Sequence, residues 1–182
     1  MSDREIIAKR LGIHHPPLYT KTSSQSAQVN PVERHPDKWS DFEKSLNALG
    51  GEVKSLDSLL TLEGTFYVDP DAEQFMPHQK SWTKNVWTAE FGVTVACSAV
   101  IESGTIVTQS KPGCSRLASL APPIHIVLVP QTELFQTLEE ALDSLPTDRT
   151  TVLITGPSRT ADIEGVLVRG IHGPKQLWVI PC

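Results

Sequence analysis

The sequence predicts an α/β protein in which helices cover a parallel-rich sheet. Residues 124–129 form a nearly continuous apolar run, as expected of a strand that is buried on both faces. Apolar runs at 151–155 and 177–181 repeat this feature, and a helical stripe at 132–145 separates the first two. Because strands that alternate with helices build parallel sheets, the three runs are predicted to belong to one central sheet, with helix 132–145 on one face.

Composition divides the chain into an N-terminal arm, residues 1–36, and a single α/β domain, residues 37–182. The capping-box pattern Ser2-Asp3-Arg4-Glu5 predicts a short helix that ends at Gly12. The prolines, serines and histidines that follow it predict an extended segment.

A helix is predicted to begin the domain. Asp37 is its expected N-cap, and apolar side chains recur at helical spacing from residue 39 to residue 49 before Gly50-Gly51 ends it. Apolar and β-branched segments then predict short strands, followed by one more short helix. The strands are expected at Val53, 65–68, 99–101 and 105–108, and the helix at 161–166.

Charge and composition argue against several functions. The formal net charge is −5 and the 16 Lys and Arg residues are scattered, which disfavours nucleic-acid binding. No stretch is long and apolar enough to span a bilayer, and no apolar signal core follows the first residues. The protein is therefore expected in the cytoplasm, away from membranes.

The three cysteines, Cys97, Cys114 and Cys182, are widely spaced, and no two form a Cys-x-x-Cys pair. A disulfide framework, a zinc site and an iron–sulfur cluster held by this chain alone are therefore disfavoured. Reduced thiols in packing roles are expected instead.

Three polar loops with glycine follow predicted strands, and open α/β sheets bind ligands where such loops gather at the carboxyl ends of the strands. The first loop is Glu102-Ser103-Gly104-Thr105. Desolvation after an apolar strand would make Glu102 a base or a covalent nucleophile. The alternative is a turn residue that accepts hydrogen bonds from backbone amides.

The second loop is Gly156-Pro157-Ser158-Arg159-Thr160-Ala161-Asp162. Ser158 or Thr160 is expected to cap the helix that follows, and free amides there, together with Arg159, suit a phosphate or carboxylate. Asp162 already complements the dipole of that helix, so a purely structural cap stays open as an interpretation.

The third loop, residues 170–175, contains His172 and Gly173. His172 is a candidate acid–base group, metal ligand or surface residue, and a metal is disfavoured because no His or carboxylate partner stands at ligand spacing. His125 lies inside an apolar strand and is expected to be a hydrogen-bonded core residue.

These loops are predicted to form one pocket at the carboxyl ends of the strands, suited to a small carboxylate or phosphate. The opposing interpretation is that Arg159 only forms a structural ion pair with Glu102 or Asp162. The catalytic candidates are Glu102 and His172, with no metal. The ligand-binding candidates are Ser103, Gly104, Thr105, Ser158, Arg159, Thr160, Asp162 and Gly173.

Several ordered motifs lie in the second half of the chain. They are Glu102-Ser103-Gly104-Thr105, Arg116-Leu117 followed by Pro122-Pro123-Ile124-His125-Ile126, Gly156 through Glu164, and His172-Gly173-Pro174-Lys175. Together they resemble the LUD-domain family, of the lactate utilisation protein C type, over roughly residues 90–180, and agree in type and spacing. Two positions differ, because Cys97 replaces an acidic residue of the family and Ser103 replaces a threonine.

The resemblance implies a three-layer, Rossmann-like fold with a parallel-rich sheet, related to the phosphosugar isomerases and CoA transferases. It also implies a role in the bacterial oxidation of L-lactate to pyruvate, with one partner that carries iron–sulfur clusters and another that is rich in cysteine. This chain lacks such cysteine motifs, which agrees with its being the cluster-free component, without a cofactor of its own.

A second hypothesis is a stand-alone enzyme that binds a small anion, an acyl group or CoA. Glu102 would accept the acyl group, as a glutamate does in CoA transferases of related fold, which is an analogy at the level of the fold. The sequence has no Gly-x-Gly-x-x-Gly loop, so a self-contained nicotinamide dehydrogenase is disfavoured.

We predict that the purified chain carries neither an iron–sulfur cluster nor stoichiometric zinc, because its three cysteines are too widely spaced to chelate. Elemental analysis and the visible absorption spectrum measure both. About one equivalent of either metal centre, retained through purification, would contradict the prediction.

Overall fold

Six parallel strands form the central sheet of the computed structural model, which describes residues 33–77, 80–114, 116–161 and 167–182. In sheet order the strands are β1 (Glu52–Val53), β12 (Gln176–Pro181), β7 (Ile124–Val129), β4 (Phe91–Val95), β2 (Thr65–Val68) and β3 (Ser81–Trp82). Each strand pairs in parallel with its neighbours. The predicted parallel-rich α/β fold is confirmed, and so are the strands at 124–129 and 177–181.

Four further strands form a second sheet. In sheet order its strands are β8 (Leu134–Phe135), β5 (Ser98–Val100), β6 (Thr105–Gln109) and β9 (Thr151–Ile154). β5 and β6 form an antiparallel hairpin, and β9 pairs antiparallel with β6. The prediction that residues 151–155 belong to the central sheet is wrong. β9 is an edge strand with Leu153 43% exposed, so its apolar run does not mark burial on both faces.

The helices are short. They are α1 (Trp39–Ala48), α2 (Ser58–Thr61) and α3 (Leu138–Asp143). α1 confirms the predicted first helix, although Asp37 lies in a preceding 3₁₀ turn and no side chain caps α1. The prediction of one helix over 132–145 is wrong at its start. Thr137 and Glu140 form a capping box there, which begins α3 at Leu138, while residues 134–135 form β8.

Two further predictions fall partly outside the described residues. The arm is described only from residue 33, so the predicted helix in it is not among the described elements. A helix starting at Ala161 is wrong, because β10 (Arg159–Ala161) pairs antiparallel with β11 (Leu167–Arg169), and residues 162–166 lie outside the description. Among the described helices, none has the length and apolar character needed to cross a bilayer.

The side chains of β7 alternate between two hydrophobic cores. Val127 and Val129 pack with a cluster that includes Phe42 of α1, and Ile126 and Leu128 pack with the opposite cluster. The side chains of these four residues are fully buried. Burial of such a side chain stabilises a fold by roughly 1.5–3 kcal/mol, so β7 is the strand on which both cores depend.

A close backbone approach attaches a 3₁₀ helix, Arg116–Ser119, to the central sheet. A Cβ atom on Gly92 of β4 would lie 1.9 Å from the carbonyl oxygen of Ala118. No side chain other than hydrogen fits there unless the backbone moves, because real Cβ atoms do not approach oxygen so closely. Gly92 therefore determines where Arg116 and Ser119 stand relative to β4.

His125 is buried in β7, as the sequence predicted for a core histidine. It is 1% exposed, and its Nε2 lies 2.9 Å from Oγ1 of Thr94 on β4. Desolvation lowers the pKa of His125 to about 3, so the ring is neutral in the folded protein at neutral pH.

We predict that Gly92→Ala lowers the free energy of unfolding by roughly 1–3 kcal/mol or more, because the new methyl group overlaps the Ala118 carbonyl. Urea denaturation measures the change. Gly173→Ala is the comparison variant, since its Cβ would lie 3.3 Å from the Ser158 side chain, which has to move by only a few tenths of an ångström, and we expect a smaller loss than for Gly92→Ala. Equal stability of the Gly92→Ala variant and the wild type would show that the close approach is absent.

We also predict a pH dependence from His125. The unfolded state takes up a proton below its ordinary pKa of 6.5, whereas the folded state does not until about pH 3. The stability is therefore complete above pH 6.5 and is lost as the pH falls toward 3. Between pH 7 and 4.5 this one residue removes roughly 2.5 kcal/mol.

Urea titrations of the wild type, His125→Gln and His172→Gln at both pH values test this assignment. Between pH 7 and 4.5, His125→Gln should lose roughly 2.5 kcal/mol less of its free energy of unfolding than the wild type does. His172→Gln, which removes an exposed histidine, should behave as the wild type does. Identical pH dependence of the wild type and His125→Gln would sink the idea.

Candidate functional site

The order of the central strands creates a switch point between β2 and β4. The chain leaves β2 toward β3 on one side, and it leaves β4 toward β7 and β12 on the other. Ligands of open α/β sheets bind beyond the carboxyl ends of the strands at such a point. Asp69 directly follows β2, and Cys97 comes two residues after the end of β4.

A cavity lined mainly by polar residues, called the polar cavity below, lies at this switch point. Its enclosed volume is about 30 Å³, enough for a water molecule or one carboxylate group, and its mouth is open to solvent. It therefore accommodates the head group of a small ligand. The lining residues are Asp69, Asp71, Thr94, Val95, Thr108, Gln109, Ser110, Lys111, Cys114, Arg116, Ser119 and Val152.

Asp71 and Lys111 form an ion pair in the cavity wall. Nζ of Lys111 donates to Oδ2 of Asp71 at 2.6 Å, and both side chains are 27% exposed. Burial alone would lower the pKa of Lys111, but the hydrogen bond and charge of Asp71 outweigh it, and the net pKa is raised. The other carboxylate oxygen, Oδ1, is buried without a hydrogen-bond partner among the described residues.

Cys114 sits beside these carboxylates as a protonated thiol. Burial is the largest cause that raises its pKa, and the charges of Asp71 and Asp69 raise it further. Ligand atoms of Asp69, Asp71 and Cys114 lie within 4.8 Å of one another, a spacing that a divalent metal ion could bridge. Such an ion would have to displace Lys111 and deprotonate Cys114, so the arrangement favours a neutral thiol and an ammonium group over a metal.

Arg116 is the open positive charge of the cavity. Its side chain is exposed at the mouth and makes no ion pair or side-chain hydrogen bond with a described residue. Thr94, Ser110 and Ser119 line the same cavity. Their hydroxyl groups form hydrogen bonds with His125, the Thr150 amide and the Arg116 carbonyl, respectively. Because Lys111 is neutralised by Asp71, Arg116 is the group best placed to bind the carboxylate of a ligand.

The first predicted loop is a hairpin turn between β5 and β6. Glu102 is exposed there, and Ser103 Oγ donates to Thr105 Oγ1 at 2.8 Å. Gly104 has φ +60°, and a Cβ on it would lie 2.5 Å from the backbone nitrogen of Leu46 in α1. The turn therefore packs on the side of α1, which agrees with the alternative that Glu102 is a turn residue.

The second and third predicted loops contact each other. The Ser158 amide donates to the Pro174 carbonyl at 2.9 Å, and the Ser158 side chain lies against Gly173. Arg159 is exposed beside Gly50, and His172 is exposed in a neighbouring cleft. Thr160 lies within β10, and Asp162 lies outside the described residues.

All three loops gather near the carboxyl end of α1, but not where they were predicted. Gly104 lies against Ser45 and Leu46, and Gly156 lies one helical turn further along, against Leu49. Residues 170–175 lead into β12, and Gly50 precedes β1, so Arg159 and His172 lie at the amino ends of the strands. Their predicted position at the carboxyl ends is wrong, while their roles stay predictions.

The opposing interpretation was a structural ion pair of Arg159 with Glu102 or Asp162. No ion pair joins Glu102 to Arg159 among the ion pairs of the described residues. The pairing of Arg159 with Asp162 stays a prediction, because Asp162 is outside the description.

Sequence reasoning missed Asp69, Asp71 and Lys111, and it identified Arg116 only as part of a family motif, without a role in a binding site. The signal was present at Asp69-Pro70, which reads as the end of strand 65–68 but also places a carboxylate at the carboxyl end of a parallel strand. No local pattern places Lys111 or Arg116 at this cavity, because both come to it through the β5–β6 hairpin and the loop behind it.

Comparison with known proteins adds a family. Residues 41–180 match the sequence profile of the LUD domain. The chain is 40% identical over 94 residues to lactate utilization protein C of Exiguobacterium sp., which covers 47% of this chain and 41% of the relative. It is 35% identical over 135 residues to lactate utilization protein C of Bacillus subtilis, covering 68% of this chain and 55% of the relative. The chain thus spans about half the length of these curated relatives.

A solved structure shares the fold. The crystal structure of a DUF162 family protein from Deinococcus radiodurans superposes with a TM-score of 0.60 at 18% sequence identity. The superposition covers 80% of this chain and 96% of that one.

Proposed function

Since the chain belongs to the LUD-domain family, we propose that it works in bacterial lactate utilisation, as the cluster-free component of a multi-protein system that oxidises L-lactate to pyruvate. Relatives named lactate utilization protein C support this role. The wide spacing of Cys97, Cys114 and Cys182 supports the assignment of the iron–sulfur clusters to partner subunits.

The cavity at the switch point is the proposed binding site for the acid. Arg116 is the observation that carries the proposal, because it is a cation at the mouth of a polar cavity without a carboxylate partner among the described residues. A guanidinium group binds a carboxylate through two parallel hydrogen bonds. The volume of about 30 Å³ suits one small head group.

Asp69 supplies the complementary group in this proposal. It is 5% exposed and lines the cavity together with Arg116. A carboxylate has lone pairs for several donors, so it can accept a hydrogen bond from the 2-hydroxyl group of lactate. The chain would then bind the acid by its carboxylate and its hydroxyl group. The two electrons and two protons of the oxidation would leave the site, with the electrons passing to the partner that carries the clusters.

We predict that Arg116→Gln weakens L-lactate binding about tenfold or more, because it removes a charge-assisted double hydrogen bond. Isothermal titration calorimetry of the full chain measures the binding. Arg159→Gln is the matched variant at the competing site, and Arg149→Gln is an exposed control. Both should bind L-lactate as the wild type does, and propionate should bind more weakly because it lacks the 2-hydroxyl group.

Binding at the cavity beside Arg116 and binding at the loops with Arg159 predict opposite results for these variants. Loss of binding in Arg159→Gln with full binding in Arg116→Gln would move the site to the loops near α1. Equal affinity for propionate and L-lactate would remove the proposed hydroxyl contact of Asp69.

A further inference from the structure

A second, wider cleft lies next to the polar cavity. It is at the carboxyl ends of β2 and β3 and has a volume of about 300 Å³. The two spaces share the segments 69–71 and 111–114, with Pro70 and Gly113 on the side of the wider cleft. Its lining residues are Tyr67, Val68, Pro70, Glu73, Trp82, Thr83, Lys84 and Gly113.

The chemistry of the wider cleft differs from that of the cavity. Trp82 is 43% exposed although it belongs to a strand of the central sheet, and Tyr67 is half-buried. Lys84 is exposed and makes no ion pair with a described residue. Glu73 adds one carboxylate that can accept a hydrogen bond from a ligand's amino or hydroxyl group.

We propose that this cleft binds a planar aromatic ring that carries an anionic group, of the nucleoside monophosphate class. Trp82 provides a face on which a ring stacks, and Lys84 provides the charge for a phosphate. The volume lies at the lower end of the range of about 300–1,000 Å³ for ligand sites, which suits a mononucleotide. The site is separate from the proposed lactate site, and neither depends on the other.

Calorimetry with the full chain tests the proposal with three probes. AMP carries ring and phosphate, adenosine carries only the ring, and ribose 5-phosphate carries only the phosphate. We expect AMP to bind saturably, adenosine to bind about two- to fivefold more weakly, and ribose 5-phosphate at least about tenfold more weakly.

Variants assign the binding to this cleft. Trp82→Ala should weaken AMP binding about tenfold. Trp82→Phe should keep most of the affinity for AMP because it retains an aromatic ring. Lys84→Gln should weaken AMP binding about two- to fivefold, roughly to the affinity of the wild type for adenosine. Trp87→Ala and Lys175→Ala are the controls. Trp87 is 74% exposed and lines another cleft, at the amino ends of the strands, so its removal should leave AMP binding unchanged.

Three results would overturn the proposal. The first is the absence of saturable AMP binding at millimolar concentration. The second is equal binding of ribose 5-phosphate and AMP, since the ring would then contribute nothing. The third is loss of binding in Trp87→Ala with full binding in Trp82→Ala, which would place the nucleotide elsewhere. Any of these leaves the lactate measurements with Arg116→Gln untouched.

Discussion

Burial of both faces of β7 is the constraint on which the rest of the structure depends. Val127 and Val129 require a cover on one face, and α1 with the β5–β6 hairpin supplies it. Ile126 and Leu128 require a cover on the other face, where residues of α2 and β2 pack. Because buried β7 satisfies its backbone groups through neighbouring strands, it needs a strand on each side, and β4 and β12 flank it in parallel. The carboxyl ends of the strands, and so the switch point beside Asp69, follow from that direction.

The sequence predicts the central strand β7 well, and the strands of the second sheet less well. A run such as Ile124–Val129, apolar at almost every position, is informative because burial on both faces removes the alternation of polar and apolar residues. The same reasoning fails for Thr151–Ile154, where four residues cannot distinguish a central strand from an edge strand of another sheet. It also fails for Leu134 and Phe135, which suit a helical stripe but pair with β5 because the capping box at Thr137 starts the helix later.

The candidate site was harder to predict than the fold, for a topological reason. Loops that follow strands were expected at the carboxyl ends, but that expectation holds only for strands of the parallel sheet. The loop with Ser158 and Arg159 follows β9 of the second sheet, and the loop with His172 leads into β12, so both lie at the amino ends. Asp69 satisfies the rule, because it follows β2 of the parallel sheet. Assigning residues 65–68 to the central sheet in place of residues 151–155 would have placed Asp69 at the carboxyl ends of the strands. Gly92 adds a second reason, since the approach of Ala118 that positions Arg116 is a tertiary contact without a local pattern.

The proposed function depends on where a small hydroxy acid binds. A crystal structure of the chain grown with saturating L-lactate tests this most directly. We expect the carboxylate within hydrogen-bond distance of the Arg116 guanidinium and the 2-hydroxyl group directed toward Asp69, at the carboxyl ends of β2 and β4. Ordered lactate on Arg159 or His172, with the cavity beside Arg116 filled only by water, would contradict the account.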